Sequence, residues 1–190
     1  LDALVRGPFR GCELRHDPDD AAWSDALGDR GWHDLGVRER WAGSIPERRE
    51  DPAFVPVAAC GWTAFTERLT AVLAAAPSRF GADGAALVDA WSPFGPGEDE
   101  RFGLVGDFGI VAPRCVEPGV GAMLFVGVLP GRRGGGLGRR TYDAGLARLR
   151  SAGLEHTEDE VEATNAPMRA LFQSLGLECV ARWRGWVEGP

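Results

Sequence analysis

The sequence contains no lysine, and several other residue types are almost absent. All 21 basic residues are arginine, and the chain has one asparagine (Asn165), one tyrosine (Tyr142) and two isoleucines. Residues with AT-rich codons are depleted together, which indicates a GC-rich bacterial coding sequence. Because a P-loop ends in Gly-Lys-Ser/Thr, the absence of lysine excludes that type of nucleotide site.

Cysteine and histidine are sparse as well. The four cysteines are widely spaced with no Cys-x-x-Cys pair, and there are three histidines. This composition argues against a zinc site, predicts no metal, and is typical of thiols in a reducing cytoplasm. No apolar run approaches the ~20 residues of a membrane helix, and no signal peptide is visible. We therefore expect a cytoplasmic protein.

The remaining composition favours an ordinary globular domain of acidic character. The chain has 190 residues, 44% of them hydrophobic, which is enough to bury a core. The net charge of −7 and the pI near 5.0 argue against general binding to nucleic acid or to anionic membranes. We expect one domain with neither of these partners.

The most informative stretch is the glycine-rich segment from Arg132 to Gly138. It follows an apolar run, Ala122–Leu129, and opens a helical pattern that continues to about Ala152. A strand therefore leads through a glycine turn into a helix N-terminus. Backbone N–H groups without side chains in the way can surround a phosphate, and the helix dipole favours its charge. This segment predicts a diphosphate-binding loop, with Arg132 or Arg133 adding positive charge.

The spacing of the glycines narrows the choice of ligand. Neither Gly134-x-Gly136 nor Gly136-x-Gly138 is followed by the third glycine of the dinucleotide fingerprint. The pattern Arg133-x-x-Gly136-x-Gly138 resembles the coenzyme A loop of the GNAT acetyltransferase superfamily. A second segment, Val161–Leu177 with Asn165 near its start, resembles the strand–Asn–helix–Leu-Gly-Phe segment of the same family. The resemblance covers roughly residues 121–187.

The resemblance implies an α/β (α+β) fold in a single GNAT-like domain over residues 1–190. Its mixed central sheet would splay at the acyl-CoA site and be flanked by helices. Residues 1–120 would form a variable acceptor-side half, and residues 121–190 the acyl-CoA-binding half.

Hydrophobic periodicity predicts the individual elements. The predicted helices are Trp62–Ala76 (stopped by Pro77), Gly136–Ala152 and a helix capped by Asn165 and ended by Gly176. The predicted strands are Phe9–Arg15, Ala85–Trp91, Arg101–Ala112 and Asp159–Thr164, with a final hairpin of Leu177–Arg182 and Trp183–Val187. Trp32 and Trp41 suggest a short helix, residues 46–56 and 92–100 read as loops, and no internal repeat is evident.

The family resemblance also implies the cofactor, acetyl-CoA or another acyl-CoA, and the residues that would hold it. Backbone groups of the central strand would pair with the pantetheine arm, the glycine loop would take the diphosphate, and the second motif would add three residues. The candidate cofactor-binding residues are Val126, Gly127, Val128, Arg132, Arg133, Gly134, Gly135, Gly136, Leu137, Gly138, Arg139, Asn165, Arg169 and Phe172.

Transfer to an amine requires the amine to be neutral. An alkyl amine with a pKa near 10.4 is about one part in 10³ neutral at pH 7, a penalty of roughly 4 kcal/mol. A carboxylate can accept that proton, and the candidates are Glu162, Glu160 and Glu117, of which we favour Glu162. Many family members place a proton-donating tyrosine where this chain has Phe172, and a phenyl ring cannot donate a proton.

Several functions stay open at this point. The leading hypothesis is N-acetylation of a small-molecule amine. The alternatives are acyl transfer to a thiol or hydroxyl, decarboxylation or acyl loading onto a carrier protein, and a non-catalytic acyl-CoA-binding module suggested by Phe172. Whether the protein forms a homodimer is also left open.

Overall fold

The computed structural model describes residues 5–6, 12–74, 83–92 and 97–188, which form nine strands and six α-helices. In chain order these are β1 (Val5–Arg6), β2 (Cys12–His16), α1 (Ala21–Gly28), β3 (Trp32–Ser44), β4 (Phe54–Pro56), α2 (Val57–Leu73), α3 (Gly84–Trp91), α4 (Glu98–Arg101), β5 (Gly103–Val105), β6 (Gly109–Glu117), β7 (Val120–Val128), α5 (Leu137–Ser151), β8 (His156–Glu162), α6 (Ala166–Ser174) and β9 (Glu178–Glu188). None of the described helices is both long and apolar enough to cross a bilayer.

The chain forms two compact units. Unit 1 comprises Leu1–Gly43 and Asp159–Pro190, and unit 2 comprises Ser44–Glu158. The predicted single domain and its division at residue 120 stay predictions.

Unit 2 is a sheet covered by helices on both faces. Strands β4 to β7 pair in antiparallel order, and β7 pairs in parallel with the start of β8, so the sheet is mixed as predicted. On one face, Ile110 of β6 packs with side chains of α2 and α3. On the other, Val111 and Val128 pack with Ala144 of α5. Successive side chains of β6 point to opposite faces of the sheet, so this strand contributes to the hydrophobic core on both faces.

Three predicted boundaries in unit 2 were wrong or incomplete. Residues 84–91 form α3 rather than a strand, because Asp83 caps the helix and Leu87, Val88 and Trp91 are buried at helical spacing. The strand predicted over residues 101–112 is the β5–β6 hairpin, turned at Gly106 (φ +54°). Within the predicted 92–100 loop, residues 98–100 begin α4 and residues 93–96 lie outside the described residues. Ala76, Pro77 and Phe9 also lie outside them.

Unit 1 contains a strand–helix–strand repeat that was not evident in the sequence. The first copy is β2–α1–β3 and the second is β8–α6–β9, in the strand order β1-β2-β9-β3-β8. Each helix has a side-chain cap, from Asp20 and Asn165, and each is followed by a glycine with positive φ, Gly31 (+78°) and Gly176 (+76°). The last strand of each copy lies between the two strands of the other.

The two copies meet where β3 pairs with β9, and the register shifts of this ladder lie on either side of one central residue pair. Arg38 of β3 lies opposite Trp183 of β9, and one register shift occurs on each side of this central pair. The long β3–β9 ladder corrects two predictions: Trp32–Trp41 is strand rather than short helix, and residues 178–188 form one strand rather than a hairpin. In both cases the pairing partner lies far away in sequence, so local patterns could not reveal it.

Candidate functional site

The glycine-rich loop that precedes α5, hereafter the cradle, is open and carries three glycines with positive φ. Gly134, Gly135 and Gly136 have φ values of +99°, +57° and +78°, a region that glycine adopts without strain. A Cβ added at any of them would meet no atom within 4 Å. Within the described chain, the N–H groups of these glycines and of Gly138 donate to no protein acceptor. Unpaired donors at a helix N-terminus favour an anion.

Strand β7 carries the three candidate residues for the cofactor arm. Val126, Gly127 and Val128 pair with β6 on one side. Within unit 2, the parallel ladder on the other side consists of two pairs, Val120–His156 and Gly121–Thr157. The rest of β7 is mostly half-buried, and an open strand edge of this kind can accept an extended, amide-bearing ligand.

The arginines around the cradle make weak contacts that a ligand can replace. An Arg132 nitrogen lies 2.9 Å from Asp107, and both side chains are exposed. Arg133 Nε lies 3.4 Å from the Val128 carbonyl oxygen, and Arg139 Nε lies 3.2 Å from Asp143 Oδ2. The Arg132–Asp107 pair is exposed, and exposed pairs contribute about 0–1 kcal/mol, so exchanging Asp107 for a phosphate would cost Arg132 little. Leu137 is half-buried and packs against the core cluster that includes Phe108 and Val128.

Residues 45–53 are bound along α5, a feature that the sequence analysis missed. Three ion pairs hold this segment: Arg48–Asp143 at 3.1 Å, Glu50–Arg148 at 2.8 Å and Asp51–Arg140 at 2.6 Å. Arg148 also lies over the Phe54 ring, 5.1 Å from its centroid. The charged residues at positions 47–51 were the sequence feature that could have indicated ion pairing with a helix.

An open pocket of about 340 Å³ lies between this segment and the start of α5. Its walls come from both elements: Arg49, Asp51 and Pro52 on one side, and Gly136, Arg139, Arg140, Asp143 and Ala144 on the other. Because Gly136 belongs to the cradle as well, a ligand in the cradle would border the pocket.

The Asp51–Arg140 pair gives a testable pH dependence. The hydrogen bond from Arg140 lowers the pKa of Asp51, although burial acts in the opposite direction. Because the folded-state pKa lies below the unfolded value of about 3.9, the pair stabilises above that pH and is lost as the pH falls through the folded pKa. We expect Asp51→Asn to lower the unfolding temperature at neutral pH. In thermal melts, this difference should narrow as the pH falls below the unfolded value of about 3.9; a constant difference would contradict the ion-pair explanation.

The second predicted motif lies in unit 1. The side chain of Asn165 caps α6 by accepting from the Met168 N–H at 3.2 Å. Arg169 Nε binds Glu39 Oε2 at 2.8 Å, and the Glu39 carboxylate also accepts from the Trp41 indole at 3.1 Å. Phe172 is buried, with its ring centroid 5.9 Å from that of Trp41. In this arrangement Arg169 and Phe172 hold α6 against the sheet of unit 1.

The three candidate general bases have different surroundings. Glu160 and Glu162 share the exposed face of β8. Glu160 lies 3.2–3.8 Å from guanidinium nitrogens of three arginines, Arg15, Arg38 and Arg40. Glu162 is exposed and forms no side-chain ion pair within the described residues. Glu117 is exposed at the end of β6, in unit 2.

Comparison with known proteins identifies the family. Residues 92–177 match the model of the acetyltransferase (GNAT) family. This segment belongs to the GNAT family. It contains β7, the cradle, α5 and the Asn165-capped helix, and so it includes both motifs on which the predicted resemblance depended.

Curated relatives match a limited stretch of the chain. A mycothiol acetyltransferase from Saccharomonospora viridis is 43% identical over 70 residues, which is 37% of this chain and 23% of that protein. One from Actinosynnema mirum is 36% identical over 72 residues, 38% of this chain and 23% of that protein. The match therefore spans about a quarter of the length of these relatives.

Solved structures confirm the predicted fold class over nearly the whole chain. A GCN5-related N-acetyltransferase from Sphaerobacter thermophilus superposes with a TM-score of 0.64 at 14% sequence identity, covering 94% of this chain and 60% of that one. The fold is the GNAT fold, a mixed sheet flanked by helices.

Proposed function

We propose that this protein is an acyl-CoA-dependent acyltransferase that acetylates the amine of a small molecule. The observation that carries the proposal is the cradle, where four backbone N–H groups without an acceptor among the described residues, and open space, meet the N-terminus of α5. A diphosphate carries negative charge and several acceptor oxygens, which suits such a site. The family match over residues 92–177 supports the choice of coenzyme A among diphosphate ligands.

In this proposal each predicted residue has a separate task. The cradle, Gly134 to Gly138, binds the diphosphate, and Arg132, Arg133 and Arg139 exchange their present partners for its oxygens. The backbone of Val126, Gly127 and Val128 pairs with the amide-bearing arm of the acyl-CoA. A thioester supplies the activated acyl group. Backbone N–H groups near Val128 stabilise charge that develops on its oxygen.

On the acceptor side we propose Glu162 as the general base. Its carboxylate has no ion-pair partner among the described residues, so it can take the proton of an ammonium group. Glu160 is a poorer candidate because three arginines already compete for its carboxylate. Asn165 and Arg169 support this side by holding α6, and Phe172 supplies no proton to the departing thiolate.

The test is release of free coenzyme A from acetyl-CoA in the presence of a panel of amines. Because the curated relatives are named for mycothiol, the panel includes a mycothiol-type amine. We expect amine-dependent release that falls with Glu162→Gln and less with Glu117→Gln. No release with any amine, together with no binding of acetyl-CoA, would refute the proposed activity.

A second candidate, acyl-CoA binding without transfer, has one observation in its favour. The side chain at the usual tyrosine position is the buried phenyl ring of Phe172. Tight acetyl-CoA binding without turnover on amines, thiols, hydroxyls or a carrier protein would favour this candidate over the first.

A further inference from the structure

His16, the last residue of β2, joins three parts of unit 1 through its half-buried imidazole ring. Its Nδ1 lies 2.6 Å from the backbone oxygen of Asp17, in the turn that leads into α1. Its Nε2 lies 2.9 Å from the indole nitrogen of Trp186 on β9. The indole of Trp23, on α1, is nearly parallel to the imidazole, with the ring centroids 6.3 Å apart. The ring of His16 therefore connects β2, the start of α1 and β9.

The two hydrogen bonds fix the protonation state of this ring. A backbone carbonyl can only accept, so Nδ1 carries the proton and donates to the Asp17 oxygen. An indole N–H can only donate, so Nε2 carries no proton and accepts from Trp186. The imidazole is therefore neutral. A second proton would place an N–H group of His16 against the N–H group of Trp186, a buried side chain that would then lack its acceptor.

Charged groups adjoin His16 on β9 and in the turn before α1. Arg184 lies opposite His16 in the β2–β9 register and forms an ion pair with Asp34 of β3 at 3.4 Å. In the turn, the carboxylates of Asp17 and Asp20 each accept from a backbone N–H group. The guanidinium group opposes a second proton on the ring, and the two carboxylates favour it. Of these residue types, only histidine ordinarily changes charge between about pH 5 and 8.

The repeat contains a second contact of this kind, with a different acceptor. Trp186 and Trp41 each stand three residues after a member of the central Arg38–Trp183 pair, on β9 and β3. The Trp41 indole, which lies beside α6, donates to the carboxylate of Glu39 at 3.1 Å. A carboxylate is still an acceptor at about pH 5, whereas an imidazole ordinarily gains its second proton near pH 6.5. The two indole contacts should therefore respond differently to mild acid.

We propose that His16 is an acid-sensitive latch that holds β2 and α1 to β9. In neutral solution its ring bonds both the Asp17 carbonyl and the Trp186 indole. Below about pH 6.5 the protonated ring no longer accepts from Trp186, so β2 and α1 separate from β9 more often. Each separation breaks the backbone ladder between residues 13–16 and β9. This inference does not depend on the proposed function.

The protonation state is measured in the unmodified protein by ¹⁵N NMR of its histidine rings. The chain has three histidines, so the signal that disappears in His16→Gln assigns the ring of interest. At about pH 8, where an imidazole is ordinarily neutral, we expect the proton of His16 on Nδ1 and none on Nε2. A proton on Nε2 at this pH would overturn the proposal, because Nε2 could not then accept from Trp186.

Hydrogen exchange followed by mass spectrometry tests the release. Protection factors, from which the intrinsic pH dependence of exchange is removed, are compared at about pH 8 and about pH 5.5. In the unmodified protein, protection of the β2 and α1 amides should fall about tenfold, while that of α6 stays constant. In His16→Gln the side-chain oxygen accepts from Trp186 at either pH, so the fall should disappear. His33→Gln, which removes an exposed histidine from β3, is the matched control and should retain it.

Three exchange results would overturn the latch. Protection of β2 and α1 that stays constant in the unmodified protein is one, and an equal fall in His16→Gln is another. The third is an equal fall in α6, which would mean that acid destabilises unit 1 in general. If His16→Gln does not fold, the NMR measurement and the contrast between α1 and α6 in the unmodified protein still decide, and the two remaining histidine variants assign the ring signals.

Discussion

Gly136→Glu is expected to abolish coenzyme A binding, with the dissociation constant raised by at least about 100-fold. The substitution acts in two ways. It places a carboxylate in the space that a phosphate would occupy, and like charges in contact cost several kcal/mol. It also puts a Cβ on a residue with φ +78°, which strains the turn that arranges the N–H donors.

Gly119→Glu is the control for a loss of stability caused by placing a glutamate at a position with positive φ. Gly119 has φ +81° and open space around an added Cβ, as Gly136 does, but it lies in the turn before β7, at the opposite end of that strand. Both variants should lose similar stability, and only Gly136→Glu should lose binding in calorimetry. Unchanged affinity in Gly136→Glu, or equal loss in both variants, would remove the cradle assignment.

The cradle and its helix were predictable because their signals are local. Three left-handed glycines, a helix N-terminus and an amphipathic pattern all lie within Gly134–Ser151, and α5 begins one residue from its predicted start. Asn165 was equally readable, since its side chain caps the helix that it precedes. Chemistry that depends on neighbouring residues can be inferred from one sequence.

The partners of the charged residues were not predictable in the same way. Arg169 binds Glu39, and Arg140 binds Asp51, across 130 and 89 residues of sequence. The β3–β9 ladder likewise joins the two ends of the chain. These pairings depend on tertiary topology. Strand β3 has two register shifts and no clear period-2 pattern, so its local sequence does not indicate which strand it pairs with.

Glu98→Ala should lower the free energy of unfolding by about 3–5 kcal/mol. This is the largest loss of stability that we expect from replacing a single charged residue. Glu98 occurs in an acidic run that reads as surface, yet it is 1% exposed. Arg114 Nε and one terminal nitrogen bind its two carboxylate oxygens, the latter at 3.0 Å, and the same terminal nitrogen donates to the Trp91 carbonyl at 2.7 Å. Removing the carboxylate leaves the Arg114 guanidinium partly buried without its counter-charge.

Urea unfolding of a small set of variants tests this explanation. Asp107→Ala breaks an exposed Arg132–Asp107 pair and should cost less than about 1 kcal/mol. Glu98→Leu combined with Arg114→Leu removes both charges, and should recover much of the stability lost in Glu98→Ala, because an apolar pair leaves no uncompensated ion. If the double variant were as unstable as Glu98→Ala, the loss would arise from packing around α4 rather than from a buried unpaired arginine.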